Sequence, residues 1–222
     1  MDRKLLLRLI KYRRVLNQLK ELGLESVFSN NLGDALDITS ALVRKDFSVL
    51  GISGNKRGGY NIEEVLEHFD TRLGSDKPID IVIVGCGNIG KALMKYPGFA
   101  KDGLRIVAGF DNDPIKFHKD SSVPVLPMED LDKFVQKEGI KIGIIAVPSP
   151  ETTGVFQKMV KAGIRGFLNF SPVELKCTKT LIGLPECPSS CIVHNMNISP
   201  ELENLFYMVH MKEQLEEEEL TP

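Results

Sequence analysis

Gly85, Gly87 and Gly90 stand in a G-x-G-x-x-G spacing, with Cys86, Asn88 and Ile89 between them. The apolar run 81–84 comes directly before them and Lys91-Ala92-Leu93-Met94 directly after. In that setting the first glycine permits a tight strand-to-helix turn and the second lets the backbone approach a pyrophosphate. The third lets the helix lie close on the strand, with its N-terminus facing the phosphates. Asp111 lies twenty-one residues beyond Gly90, at the end of a second strand-like run over 104–110, where a carboxylate accepts hydrogen bonds from an adenosine ribose. A carboxylate there favours two ribose hydroxyls and repels a 2′-phosphate, so the cofactor expected is NAD or NADH rather than NADP.

A second constellation is cationic. Residues 31–36 read as a short helix, Asp37-Ile38 as a turn, and residues 39–47 as a second helix with Thr39 at its N-cap. Ser40, Arg44 and Lys45 project from that second helix, where a recognition helix needs a small residue for close approach and cations for base edges and phosphates. The stretch 49–60 carries Gly51, Gly54, Gly58 and Gly59 around Asn55-Lys56-Arg57, which reads as a β-hairpin wing with a cationic tip closing at Tyr60. Thr39, Ser40, Arg44, Lys45, Lys56, Arg57 and Tyr60 are therefore the residues expected at double-stranded DNA. Ahead of them, residues 4–22 form an amphipathic helix with Leu5, Leu9, Tyr12, Leu16 and Leu19 inward. Lys4, Arg8, Lys11, Arg13 and Arg14 lie on the other face. The whole chain has a net charge of −2, which argues against a protein that coats nucleic acid, but residues 1–60 alone carry +5.

These groups need a scaffold. A helix over 61–71, capped by Asn61, ends the first domain, and residues 73–78 break the pattern, so the boundary is placed at residue 77. Beyond it come strands at 79–84, 104–110, 123–126, 140–147, 166–170 and 191–196, with helices at 88–96, 129–138 and 150–162. Strands rich in Ile and Val on both faces, alternating with helices, predict an α/β domain of Rossmann type over 78–198 with a parallel sheet covered on both sides. Its ligand belongs at the carboxyl ends of the strands, at Gly85, Asp111, Val147-Pro148 and Phe170-Ser171. The final segment, 199–222, reads as a helix with Ser199 as N-cap and Pro200 at N1. Leu202, Leu205, Phe206, Tyr207, Met208, Val209 and Leu215 make it apolar over too wide an arc for a solvated end, which predicts burial in a homodimer interface.

The longest apolar runs fall far short of the roughly 18 residues of a membrane span, and the start of the chain lacks a signal-peptide core, which predicts a cytoplasmic protein with no membrane contact. Cys177, Cys187, Cys191 and His194 match no common zinc spacing, so no metal is expected.

A winged helix-turn-helix, a Rossmann domain and an apolar terminal helix, in this order, resemble the Rex family of redox-sensing transcriptional repressors. The resemblance spans nearly the whole chain. Its most specific stretches are Val43-Arg44-Lys45-Asp46-Phe47-Ser48, residues 54–60, the glycine loop, Tyr96-Pro97-Gly98-Phe99, residues 163–172 and residues 197–205. It implies a homodimer with exchanged C-terminal helices that holds a palindromic operator when NADH is scarce and releases it when NADH accumulates. It also implies a redox switch built on Tyr96 near the nicotinamide, Arg14 on the first helix and a third residue ahead of the last helix. That third residue, an aspartate in the family, is Asn197 here, so a charge-assisted contact becomes a neutral one, weaker by a factor of about two. The wing, Gly54-Asn55-Lys56-Arg57-Gly58-Gly59-Tyr60, shifts the family's glycine and arginine order by one position.

Two other readings compete. An NAD-dependent dehydrogenase needs a substrate domain and an acid or base facing the nicotinamide. The Rossmann strands are followed only by the terminal helix, and His68, His118, His194 and His210 have no paired carboxylate at a suggestive spacing. An NAD-binding protein whose winged helix meets another protein is compatible with the modest +5 charge. The expectation is a repressor and not an enzyme.

Overall fold

The computed structural model describes residues 2–55, 57–74, 78–118, 121–177 and 191–220, with side chains as far as residue 216. Lys56, the boundary expected at residue 77, and Cys187 lie outside them. The chain divides into two compact units. One is Met1–Ile79 with Lys101–Gly103, and the other is Asp80–Ala100 with Leu104–Pro222.

The first unit holds α1 (Arg3–Glu21), α2 (Ser29–Leu36), α3 (Ser40–Val49) and α4 (Ile62–Leu73), with β1 (Ser26–Val27) antiparallel to β2 (Tyr60–Asn61). Leu5, Leu9, Tyr12 and Leu16 recur at helical spacing on α1 and are buried with Val43 and Phe47 of α3 and Val65 and Phe69 of α4. Thr39 caps α3 by accepting the Leu42 amide at 3.2 Å, and Asn61 caps α4 by accepting the Glu64 amide at 3.1 Å. The turn between α2 and α3 closes tightly. Asp37 takes the left-handed conformation (φ 53°), and a Cβ on Gly33 would come within 2.6 Å of the Ile38 carbonyl oxygen.

The wing differs from the hairpin expected over 49–60. Val49 still belongs to α3, and the tip is closed by one antiparallel bridge, Asn55 to Gly59, with mutual amide-to-carbonyl bonds of 2.8 Å. The reason is that Tyr60 pairs with Val27, so the ladder runs to β1 instead of back along the wing. Gly59 has a φ of 74° and a Cβ there would meet the Val27 carbonyl oxygen at 2.6 Å, which pins the wing at that point.

In the second unit, six strands lie in the order β5-β4-β3-β6-β7-β8: β3 (Ile79–Val84), β4 (Leu104–Asp111), β5 (Val125–Pro127), β6 (Ile142–Ile145), β7 (Gly166–Asn169) and β8 (Ile192–Asn195). The pairs β3–β6, β4–β5, β6–β7 and β7–β8 run parallel. Connecting them are α5 (Asn88–Met94), the short α6 (Gly98–Lys101), α7 (Leu131–Glu138) and α8 (Ser149–Ala162), and α9 (Ile198–Leu220) follows β8. Alternate residues of β3 feed two cores: Val82 and Val84 pack with Phe110, Leu131 and Phe156, whereas Ile81 and Ile83 pack with Ile106 and Ile144. Strand order reverses beside β3, and the carboxyl edge there is where ligands bind in such sheets.

The terminal helix starts earlier than its sequence suggests. It begins at Ile198, and the residue ahead of it that accepts a first-turn amide is Asn197, whose Oδ1 takes the Ser199 N–H at 3.3 Å. Both residues are good caps, and Pro200 is tolerated one turn in because the first amides of a helix lack internal partners anyway. Leu202, Phe206, Tyr207 and Val209 are each 50 to 64% exposed along α9. Among the described residues no helix is long and apolar enough to cross a membrane.

Candidate cofactor site and nucleic-acid interface

The glycine turn forms where β3 leaves the sheet. Gly85 has a φ of 97° and its amide donates to the Phe110 carbonyl at 2.9 Å, while a Cβ on it would run into the Ala146 carbonyl of the neighbouring strand end. A Cβ on Gly90 would run into the Gly85 carbonyl, so the third glycine lets α5 close on the turn. Gly87 is different. Nothing lies within 4 Å of a Cβ built there, so its bare backbone faces open space.

That space is a cavity of about 660 Å³, which suits a dinucleotide-sized ligand. Gly85, Gly87, Asn88, Ile89, Asp111 and Val147 line it together. Pro148 and Phe170 line it too, whereas Ser171 turns inward, 2.6 Å from the Thr152 hydroxyl. Cys86 and Gly90 are buried behind the lining. Burial, with the Asp111 carboxylate beside it, pushes the Cys86 thiol up to about 11, so it stays protonated and unreactive at neutral pH.

Asp111 is nine-tenths buried, and its carboxylate is already engaged. Oδ2 accepts the Cys86 amide at 2.8 Å, Oδ1 accepts the Asp113 amide at 2.9 Å, and Lys116 Nζ lies 3.1 and 3.0 Å from the two oxygens. Burial alone raises the carboxyl's pKa, but the two amides and the ammonium outweigh it and hold Asp111 below the usual aspartate value. Lys116 had no role in the sequence reading. Its signal is only a cation five residues after an acid, in a loop whose turn brings the two together.

The cationic surface of the first unit is narrower than its sequence implies. Ser40 is half-buried at the start of α3, Lys45 is exposed, and exposed Arg44 donates to the Ser29 hydroxyl at 3.1 Å. Arg57 is exposed, with its amide bonded to Asn55 Oδ1 at 2.9 Å. Tyr60 points the other way, its ring edge-on to Phe47 at 4.8 Å and hard against Gly54. On α1, Arg8 is half-buried and turned onto α3. Its Nε and Nη2 donate to Asp46 at 2.6 and 2.8 Å, and the Tyr12 hydroxyl donates to the same carboxylate at 3.0 Å. Burial, reinforced by Asp46, raises the Tyr12 pKa well above that of an ordinary phenol, so it remains a donor. Arg13 pairs with Asp70 at 2.8 Å, which leaves Lys4, Lys11 and Arg14 unpaired among the described residues.

The three switch candidates have separate local settings. Tyr96 does not line the cavity. Helix α5 ends at Met94, short of the 88–96 expected, and Pro97 turns the chain so that the Tyr96 ring is 56% exposed, edge-on to Phe99 at 5.1 Å. A Cβ on Gly98 would lie 2.5 Å from that ring, so this glycine gives the tyrosine its place. Arg14 shares a surface groove with Lys11, Asp34 and Asp37. Asn197 caps α9.

Comparison with known proteins finds matches over both units. A family model described as "CoA binding domain" matches residues 76–173, and one described as "Putative DNA-binding protein N-terminus" matches residues 4–48. The chain is 32% identical to the redox-sensing transcriptional repressor Rex of Listeria welshimeri, over 91% of this chain and 90% of that protein. To the redox-sensing transcriptional repressor Rex 1 of Thermotoga maritima it is 39% identical, over 76% of this chain and 82% of that one. Among solved structures, RSP in complex with β-NAD+ and operator DNA superposes with a TM-score of 0.82 at 28% identity, covering 100% of this chain and 99% of RSP.

Proposed function

Because the chain belongs to the Rex family of redox-sensing transcriptional repressors, we propose that it binds palindromic double-stranded operator DNA as a homodimer and lets go when NADH rises relative to NAD. The family is one of repressors and not of enzymes. The observation that carries the reading is the single cavity that gathers the glycine loop, Asp111 and Val147, in a chain whose other unit presents Ser40, Arg44 and Lys45 on one helix.

In this reading residues 1–77 bind DNA, 78–198 bind cofactor, and α9 with its neighbours over 199–222 joins two subunits in the cytoplasm. Gly85, Cys86, Gly87, Asn88, Ile89 and Gly90 hold the pyrophosphate, Asp111 the adenosine ribose, and Val147 the nicotinamide end. Ser40, Arg44 and Lys45 enter the major groove with Thr39 at the helix start. Lys56 and Arg57 reach the backbone or the adjoining groove, and Tyr60 braces the wing from its place on Phe47. No hydride is transferred, because the cofactor is read as a ligand. Such a ligand shifts an equilibrium only by its differential affinity for the two arrangements, and Arg14, Tyr96 and Asn197 are the residues that tell the oxidised from the reduced ring.

A mobility-shift assay at moderate salt tests this. The protein should retard a palindromic duplex and not a scrambled one, and micromolar NADH should abolish the shift where NAD does not. Equal retardation of both duplexes, or a shift indifferent to NADH, overturns the reading.

A further inference from the structure

We propose that Lys116 occupies the ribose-binding positions of Asp111 and hands them over when an adenosine ribose docks, which makes it a specificity determinant of the cofactor site. The inference rests on the cofactor reading above. A carboxylate offers about four acceptor directions. On Asp111 two are taken by backbone amides, those of Cys86 at 2.8 Å and Asp113 at 2.9 Å, and these belong to the two turns that shape the site. The other two are straddled by Lys116 Nζ at 3.1 and 3.0 Å. A ribose 2′,3′-diol needs two acceptors on the same carboxylate, and none is free while the ammonium sits there.

The amides cannot leave without undoing the turns, but the lysine can. Its side chain is 30% exposed, and Asp113 Oδ2 already lies 3.8 Å from Nζ, while Asp113 Oδ1 is held by the Ile115 amide at 3.1 Å. A small rotation moves the ammonium from Asp111 to Asp113 with its charge still compensated. The displaced cation then stays beside the ribose edge. There it offsets part of the repulsion that Asp111 and Asp113 together exert on a 2′-phosphate, so discrimination against NADP(H) is weaker than the two carboxylates alone would give.

Calorimetry on the full chain with NADH and NADPH tests this, comparing the unaltered protein with Lys116→Met, which keeps the stem and removes the charge. NADH should bind about two- to fivefold tighter to the variant, the size of a part-exposed ion pair no longer competing. NADPH should bind more weakly, so the preference for NADH widens. Asp113→Asn, which keeps the side-chain oxygen that holds Ile115, should weaken NADH binding because the lysine loses its second carboxylate. Unchanged or weaker NADH binding by Lys116→Met overturns the inference, as does unchanged binding by Asp113→Asn. If the unaltered protein binds no NADH at all, the cofactor reading fails and the inference fails with it.

Discussion

Asp46 is the acidic residue that α3 hides. It is 3% exposed on the inward side of α3, directly after two cations that face out, and it receives two Arg8 guanidinium nitrogens and the Tyr12 hydroxyl from α1. Asp46→Asn keeps the volume and one oxygen but removes the charge that Arg8 was buried against. Breaking a buried ion pair from one side costs about 3–5 kcal/mol. The Arg8 side chain is 25% exposed and can turn part of its guanidinium to water, which lowers the expected loss to about 2–3 kcal/mol. Hydrogen exchange on the full chain reads the first unit separately, and protection of the slowest α1 and α3 amides should fall by roughly 30- to 150-fold. Arg8→Met leaves the buried carboxylate with the Tyr12 hydroxyl but without its cation and should cost about as much, while the double variant should cost well under the sum, with a coupling of about 1.5–3 kcal/mol. Additive losses, or α3 protection unchanged in Asp46→Asn, refute the claim that this triad ties α3 to α1.

Arg44→Ala should weaken operator binding by about 1–3 kcal/mol and relax preference at one base pair, and a competition assay with single-base variants of the site checks both. Affinity and preference left intact would remove Arg44 from the base edges. Asn197→Asp retains an acceptor for the Ser199 amide and adds a charge favoured at a helix N-terminus by about 0.3–1 kcal/mol, so the fold should not suffer. Meanwhile the ratio of NADH to NAD effects on operator binding should widen, and a narrower ratio would mean that position 197 does not read the ring.

What could be read from the sequence was what local geometry dictates. The glycine spacing follows from a turn in which two of the three glycines meet a carbonyl as soon as a Cβ is added, and Asp111 follows from where β4 must end beside that turn. Thr39 and Asn61 announce their helices because capping needs an oxygen two or three residues ahead of a free amide. The residues that escaped notice find their partners only once the chain has folded. Asp46 lies 38 residues from Arg8, and nothing in the run Val43-Arg44-Lys45-Asp46 separates the outward cations from the inward acid except the partner on α1. Lys116 looks like an ordinary loop cation until the 3₁₀ turn at Pro114–Lys116 folds it onto Asp111. At α9 two capping residues competed two positions apart, and the choice of Asn197 over Ser199 depends on where β8 releases the chain.

The proposed coupling of nicotinamide redox state to operator occupancy is tested most directly by fluorescence anisotropy of a labelled palindromic duplex, at fixed protein, fixed salt and fixed total cofactor, as the fraction present as NADH is raised from none to all. Anisotropy should stay at its bound value with NAD alone and fall to that of free duplex as NADH takes over. A bound fraction that remains constant across the whole series, in protein shown by calorimetry to bind both cofactors, would contradict the coupling.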